Sequence, residues 1–195
     1  IAWGNKMADY TIISNISNYV ICKLRETMCP EPVLFPAQIE TVTLSDQTSD
    51  YMLGLYLYDM REEQEIQPLV QDRDRLWNNT RPYSLYYMVF VNENSGIKAA
   101  DSQKIIGKAA QVIADIQVIS PNDLQPWLKR EEPFMAWSQI RIGLEEKTRI
   151  WQSANKPYQL SLFYKVAPVF IFSNQAVEVQ RVKEAEISLT IKERK

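Results

Sequence analysis

The segment Tyr158-Gln-Leu-Ser-Leu-Phe-Tyr-Lys-Val-Ala-Pro-Val-Phe-Ile-Phe172 constrains the fold more than any other. Apolar and polar residues alternate through Val166, with Phe163 the one exception, and an unbroken apolar run follows Pro168. A period of two is that of a strand, with Tyr158, Leu160, Leu162, Tyr164 and Val166 on one face and Gln159, Ser161 and Lys165 on the other. Pro168 removes a ladder donor, which predicts a bulge, an edge position or a bend there.

Two further segments behave as strands. In Tyr51 to Met60 the odd positions Tyr51, Leu53, Leu55 and Leu57 are mostly aliphatic, and the even ones include Tyr56 and Tyr58. In Tyr83 to Val91, Leu85, Tyr87, Val89 and Val91 share one face, with Tyr86, Met88 and Phe90 opposite. Strands apolar on both faces need cover on both. One layer of helix supplies half of it, and loops, a second layer or a partner subunit must supply the rest. Tyrosine suits a surface that is wet only part of the time, so Tyr56, Tyr58 and Tyr86 are candidate contact residues. Ile39 to Leu44 reads as a further strand, and Ala176 to Glu193 alternates again through Ile187, Leu189 and Ile191.

Two helices accompany these strands. Ile12, Ile13, Ile16, Tyr19, Val20 and Leu24 recur at helical spacing behind Asp9, an expected N-cap, and Cys29-Pro-Glu-Pro32 ends the helix. Asp101 is an expected cap for a second, with Ile105, Ile106, Ala109, Val112, Ile113 and Ile116 inward. Between them and the long strand come an irregular stretch from Ser120 to Ser138, a short strand from Ile140 to Leu144, and a short helix around Ile150-Trp151. The fold class expected is α+β, with a mixed, mainly antiparallel sheet flanked by two main helices and a short third one.

The 195 residues carry 22 basic and 24 acidic side chains, so no global field favours nucleic acid or an anionic membrane. No run approaches the roughly 18 apolar residues of a membrane span. Met7-Ala-Asp9 reads as a natural start preceded by an extension, and no signal peptide is apparent. The expected division is an N-terminal extension over 1–8, one domain over 9–173 and a C-terminal strand or arm over 174–195. Cys22 and Cys29 stand about 10 Å apart along a helix, too far for a disulfide, and read as reduced thiols of a protein made in the cytosol. Without a signal peptide, the sequons at Asn15 and Asn78 are chance matches.

Catalytic signatures are scarce. The chain has no histidine, which removes Ser–His and Cys–His pairs, the commonest general base and the commonest zinc ligand. Its five glycines stand singly and form no phosphate-cradling loop. Asp59, Glu62, Glu63 and Glu65 could bind a divalent cation or act as an acid–base pair, but a solvated loop after a strand is the plainer reading. Asp72-Arg-Asp-Arg75 likewise reads as solvent-facing. The expectation is therefore no catalytic, metal or cofactor site. Trp151 reads as core. Trp77, Trp127 and Trp137 lie in irregular, proline- or charge-flanked stretches where a large aromatic can mark a partner contact.

The order of segments adds to this. Asp9-Tyr-Thr-Ile-Ile, Leu55-Tyr-Leu-Tyr-Asp-Met-Arg-Glu-Glu63 and Arg81-Pro-Tyr-Ser-Leu-Tyr-Tyr-Met-Val-Phe90 come first. Ile105-Ile-Gly-Lys-Ala-Ala-Gln-Val-Ile113, Ile140-Arg-Ile, Arg149-Ile-Trp-Gln-Ser-Ala154 and Tyr158 to Val169 complete the series. From Asp9 to Phe172 the chain resembles a family long labelled as of unknown function, the cap or tail-terminator proteins of phage-tail-like contractile injection systems. It departs from that pattern in lacking the histidines relatives often carry.

The resemblance implies a phage tail-terminator-like fold and a structural, non-enzymatic role with no cofactor. A ring of subunits, sixfold in the family, would close the end of the inner tube and sheath and end their polymerisation. Its partners would be itself, the inner tube protein and the sheath protein, with neither nucleic acid nor membrane. Assembly would take place in the bacterial cytoplasm, as part of a particle that can be released. Ile187, Leu189 and Ile191 would either form an edge strand of the domain's own sheet or add to a sheath subunit. Another phage-tail component, for tail completion or at the baseplate, is the near alternative, and a small carboxylate-dependent enzyme the remote one.

Overall fold

The computed structural model describes residues 10–45, 50–63, 75–77, 81–124, 134–171 and 176–178. Helix α1 spans Ile12–Met28, with Thr11 at its N-cap, and buries Ile16, Val20, Leu24 and Met28 at helical spacing. Asp9, the expected cap, lies outside the described residues. The helix ends where Cys29 turns extended ahead of Pro30. In its last turn Arg25 donates from Nε to the Ile39 carbonyl at 2.9 Å, pinning the helix to the following strand.

Strands β1 (Ile39–Thr41), β2 (Leu53–Glu62), β4 (Arg81–Val91), β5 (Val118–Ile119), β6 (Met135–Gln139) and β7 (Ser161–Ile171) form one six-stranded sheet, ordered β1-β2-β4-β7-β6-β5. Only β1–β2 is parallel, so the sheet is mixed and mainly antiparallel as expected. A separate ribbon pairs β3 (Arg75–Trp77) with β8 (Ala176–Glu178). Helix α2 (Ala99–Ile116) packs beside α1 on one face of the sheet. The single turn α3 (Pro121–Leu124) follows it, and α4 (Leu144–Ser153) precedes β7.

The main core lies between this face and the two long helices. It gathers Ile16, Val20 and Leu24 with Leu55, Tyr87, Val89, Ile105, Ile113 and Val166, all buried. A second cluster on the opposite face joins Val42, Leu44 and Tyr51 to Met88, Phe90, Trp151 and Phe163. Phe163, the exception to the alternation in β7, is thus the residue that α4 covers. Its ring and that of Phe90 mark where the sheet's second face receives its own small layer.

Four expectations change, the first being the cap of α2: Lys98 holds the N-cap position, and Asp101 stands inside the first turn. No strand occupies Ile140 to Leu144: the strand comes earlier, at Met135–Gln139, and Leu144 opens α4 instead. Ile140 still donates its N–H to the Phe163 carbonyl, so the ladder continues one residue beyond β6. The stretch from Ser120 to Ser138 is accordingly not wholly irregular. The start of the C-terminal segment, Ala176–Glu178, pairs with Arg75–Trp77 and not with the main sheet.

Candidate functional site

Among the described residues, the second face of the sheet is covered over its inner half. Its inner half carries Met88, Phe90 and Phe163 beneath α4 and the segment after β1. Its outer half carries Tyr58, Asp59, Arg61 and Glu63 from the β2 end, Ser84 and Tyr86 from β4, and Lys165 from β7. A β-bulge brings the charged residues there. Leu57 pairs with Tyr87 and Asp59 with Tyr86, so Tyr58 is an extra residue with no partner on β4. One inserted residue reverses the alternation, and Asp59, Arg61 and Glu63 leave the face that Leu53, Leu55 and Leu57 occupy.

Aromatic and charged groups interleave on this surface. Tyr58 meets Phe163 edge-on at 5.6 Å between ring centroids and lies 6.1 Å from Tyr86. The Arg61 guanidinium stands 4.8 Å over the Tyr86 ring, and Lys165 Nζ is 5.9 Å from the same centroid. Arg61 Nε donates to Asp59 Oδ2 at 2.6 Å, and Lys165 Nζ to Glu63 Oε1 at 2.8 Å. Ser84 Oγ donates to the same Glu63 oxygen. Burial, then the charge of Glu146 on α4, pushes the Tyr58 phenol up to about 12. Hydrogen bonds from Lys165 and Ser84 hold the Glu63 carboxyl below the usual carboxylate range.

The charged groups of this surface pair with one another. Asp59 and Glu63, read in sequence as possible metal or acid–base groups, are taken up by Arg61, Lys165 and Ser84. Glu62, paired opposite Tyr83, falls on the other face, and Glu65 lies outside the described residues. Among the described residues no three of His, Cys, Asp and Glu come together as metal ligands, and no helix is long and apolar enough to cross a membrane.

A model of the family described as Pvc16 N-terminal domain matches residues 23–184, well over half the chain. The chain belongs to that family. No protein of curated function matches it. Among solved structures, the chain is similar to the sheath/tube terminator of PVC, an extracellular contractile injection system, in its extended state. The TM-score is 0.59 at 16% identity, over 94% of this chain and 67% of that one. It is also similar to the tube-terminating cap of the anti-feeding prophage AFP, with a TM-score of 0.65 and 17% identity, over 89% of this chain and 60% of that one. Identities this low carry the fold, which is that of tail terminators. The chain spans only about two thirds of the length of these structures.

The residues expected at partner contacts fall in different places. Tyr56, Tyr58 and Tyr86 do share the second face, half-buried at the margin of the α4 layer. Trp77 stands on β3, in the ribbon. Trp127, Ile187, Leu189 and Ile191 lie outside the described residues. Trp137 is a correction. It sits on β6, 6% exposed, with its ring stacked on Tyr87 and tilted against Tyr164, so it is core. Proline-rich flanks suggested a loop, but the backbone from Ala136 pairs with β7 and turns the indole under the helices. Lys165 was visible only as a polar position of β7, and nothing local marks it as the partner of Glu63, 102 residues away. Cross-strand register alone brings them together.

Proposed function

We propose that this chain is a structural cap subunit of a contractile injection system, a tail terminator that closes the end of the inner tube and sheath and ends their growth. Membership of the Pvc16 N-terminal domain family over residues 23–184 carries this reading. The likeness in fold to a PVC sheath/tube terminator and to the AFP tube-terminating cap supports it. The role is non-enzymatic and needs no cofactor. The chain acts as one domain over 9–173, followed by an arm over 174–195.

Its partners are copies of itself in a ring, a hexamer by family resemblance, together with the inner tube and sheath proteins, and neither nucleic acid nor membrane. The half-open second face favours such an assembly, because closed cyclic symmetry buries a surface of this kind once per subunit. Tyr56, Tyr58 and Tyr86, with Trp77 and Trp127, make the contacts between subunits or to the tube, and Ile187, Leu189 and Ile191 reach the sheath. Assembly takes place in the bacterial cytoplasm and the subunit stays with the particle.

Deleting the gene from an expressed particle cluster tests the reading. Negative-stain images of the deletion should show tubes of uncontrolled length without a capped end, and the wild-type chain supplied in trans should restore capped particles of one length. Normal capped particles in its absence would refute the assignment.

A further inference from the structure

Among the described residues, one more ladder lies beyond the six-stranded sheet. Trp77 on β3 lies opposite Ala176 on β8, and the next described pair along the same two segments is Arg81 opposite Ile171. β4 and β7 therefore reach the sheet margin side by side, and their flanking segments pair again outside it. Just inside that margin the ladder is broken. Leu85 pairs with Val166 and Tyr83 with Val169, so Ser84 alone faces both Ala167 and Pro168. A bulge bends a strand and interrupts its pairing, and Pro168 has no N–H to contribute.

Glu63 straddles this break from just beyond the end of β2. Its backbone N–H donates to the Pro82 carbonyl at 2.8 Å, on the outer side. Its side-chain Oε1 accepts from Ser84 Oγ, at the break, and from Lys165 Nζ at 2.8 Å, on the inner side. We propose that the Ala167–Pro168 bulge is a hinge for the outer ends of β4 and β7 and the β3–β8 ribbon, and that Glu63 is the strap holding it. Glu63 thereby spans, with its backbone N–H and one carboxylate oxygen together, a gap that the backbone ladder leaves open. Both strap groups are about 30% exposed, so water competes for the pair and the strap is releasable without unfolding the core. Any consequence for capping rests on the function proposed above, because β8 leads into the C-terminal arm. The hinge itself does not depend on that reading.

Amide hydrogen exchange on the full chain tests it. Glu63→Ala and Lys165→Met should each speed exchange at Arg75–Trp77 and Ala176–Glu178 about fivefold, with Tyr87–Val91 unchanged. Glu63→Gln keeps the size and removes the charge, and should give the same pattern more weakly if the alanine variant does not fold. Unchanged exchange in the ribbon, or an equal rise in Tyr87–Val91, would overturn the proposal. A capping assay on the same variants separates the two ideas. Faster ribbon exchange in a chain that caps nothing even as wild type leaves the strap standing and removes the function.

Discussion

The indole of Trp137 stacks on the ring of Tyr87, with centroids 5.2 Å apart and planes at 27°. Tyr87 in turn shares a 2.9 Å hydrogen bond with Ser17 on α1. A residue on a short outer strand thus ties β6 to the centre of the sheet, and through it to the first helix. Trp137→Ala should cost about 3–5 kcal/mol, the range for emptying a buried aromatic site. Trp137→Phe should cost less, since Trp137 Nε1 has no hydrogen-bond partner among the described residues. Denaturant midpoints of the two variants check this, and a Trp137→Ala chain as stable as wild type would contradict the buried stack.

Gly54 admits no side chain. A Cβ there would stand 2.7 Å from Val42 Cγ2 and 2.8 Å from Phe90 Cζ. Both neighbours are buried in the second cluster, so neither can swing away into solvent. Gly54→Ala should destabilise by about 1–3 kcal/mol through overpacking, measured as a fall in thermal midpoint.

Deleting Tyr58 removes the bulged residue and restores strict alternation along β2. Asp59, Met60 and Arg61 would then keep their partners Tyr86, Leu85 and Ser84, so Asp59, Arg61 and Glu63 would stay on the second face. We expect the deletion to unfold cooperatively at a lower thermal midpoint, because the Tyr58 ring no longer meets Phe163 and Tyr86, whereas Tyr58→Phe, which keeps the ring, should stay close to wild type. A deletion variant that lost cooperative unfolding would contradict this reading of the register.

Glu63 and the buried phenols set opposite pH limits. A carboxyl held below its ordinary value contributes stability above the unfolded value of about 4.3 and loses it as pH falls through the lower folded value. Tyr87 and Tyr164 are pushed up to about 12, chiefly by burial. Their contribution is complete below the unfolded value of about 10 and disappears as pH rises toward 12. Stability against pH should therefore fall at both ends, and Glu63→Gln should flatten the acid limb alone.

Residues 184–195 offer a test of the arm. If Ile187 to Ile191 pair with a sheath subunit, a chain lacking 184–195 should fold with an unchanged thermal midpoint but fail to retain sheath on the particle. A truncated chain that both folds and caps sheathed particles would take this segment out of the mechanism.

Periodicity by itself determined the long elements: α1 and α2, the strands around Leu55, Tyr87 and Tyr164, and the break at Pro168. These signals are local, because a helix or strand buries one face at a fixed spacing, and a missing N–H is a property of one residue. Segment order determined the family in the same way. Only the tertiary structure decided which aromatics are core and which form a surface. Trp137 looked like a loop residue until β7 paired beside it, and Phe163 looked like a flaw in the alternation until α4 covered it. The face on which Asp59, Arg61 and Glu63 stand hangs on a single unpaired residue, Tyr58, and a bulge is a relation between two strands that neither records alone. The Glu63–Lys165 pair is decided last of all, by the register of β2, β4 and β7 together, which is why no stretch of this sequence announces it.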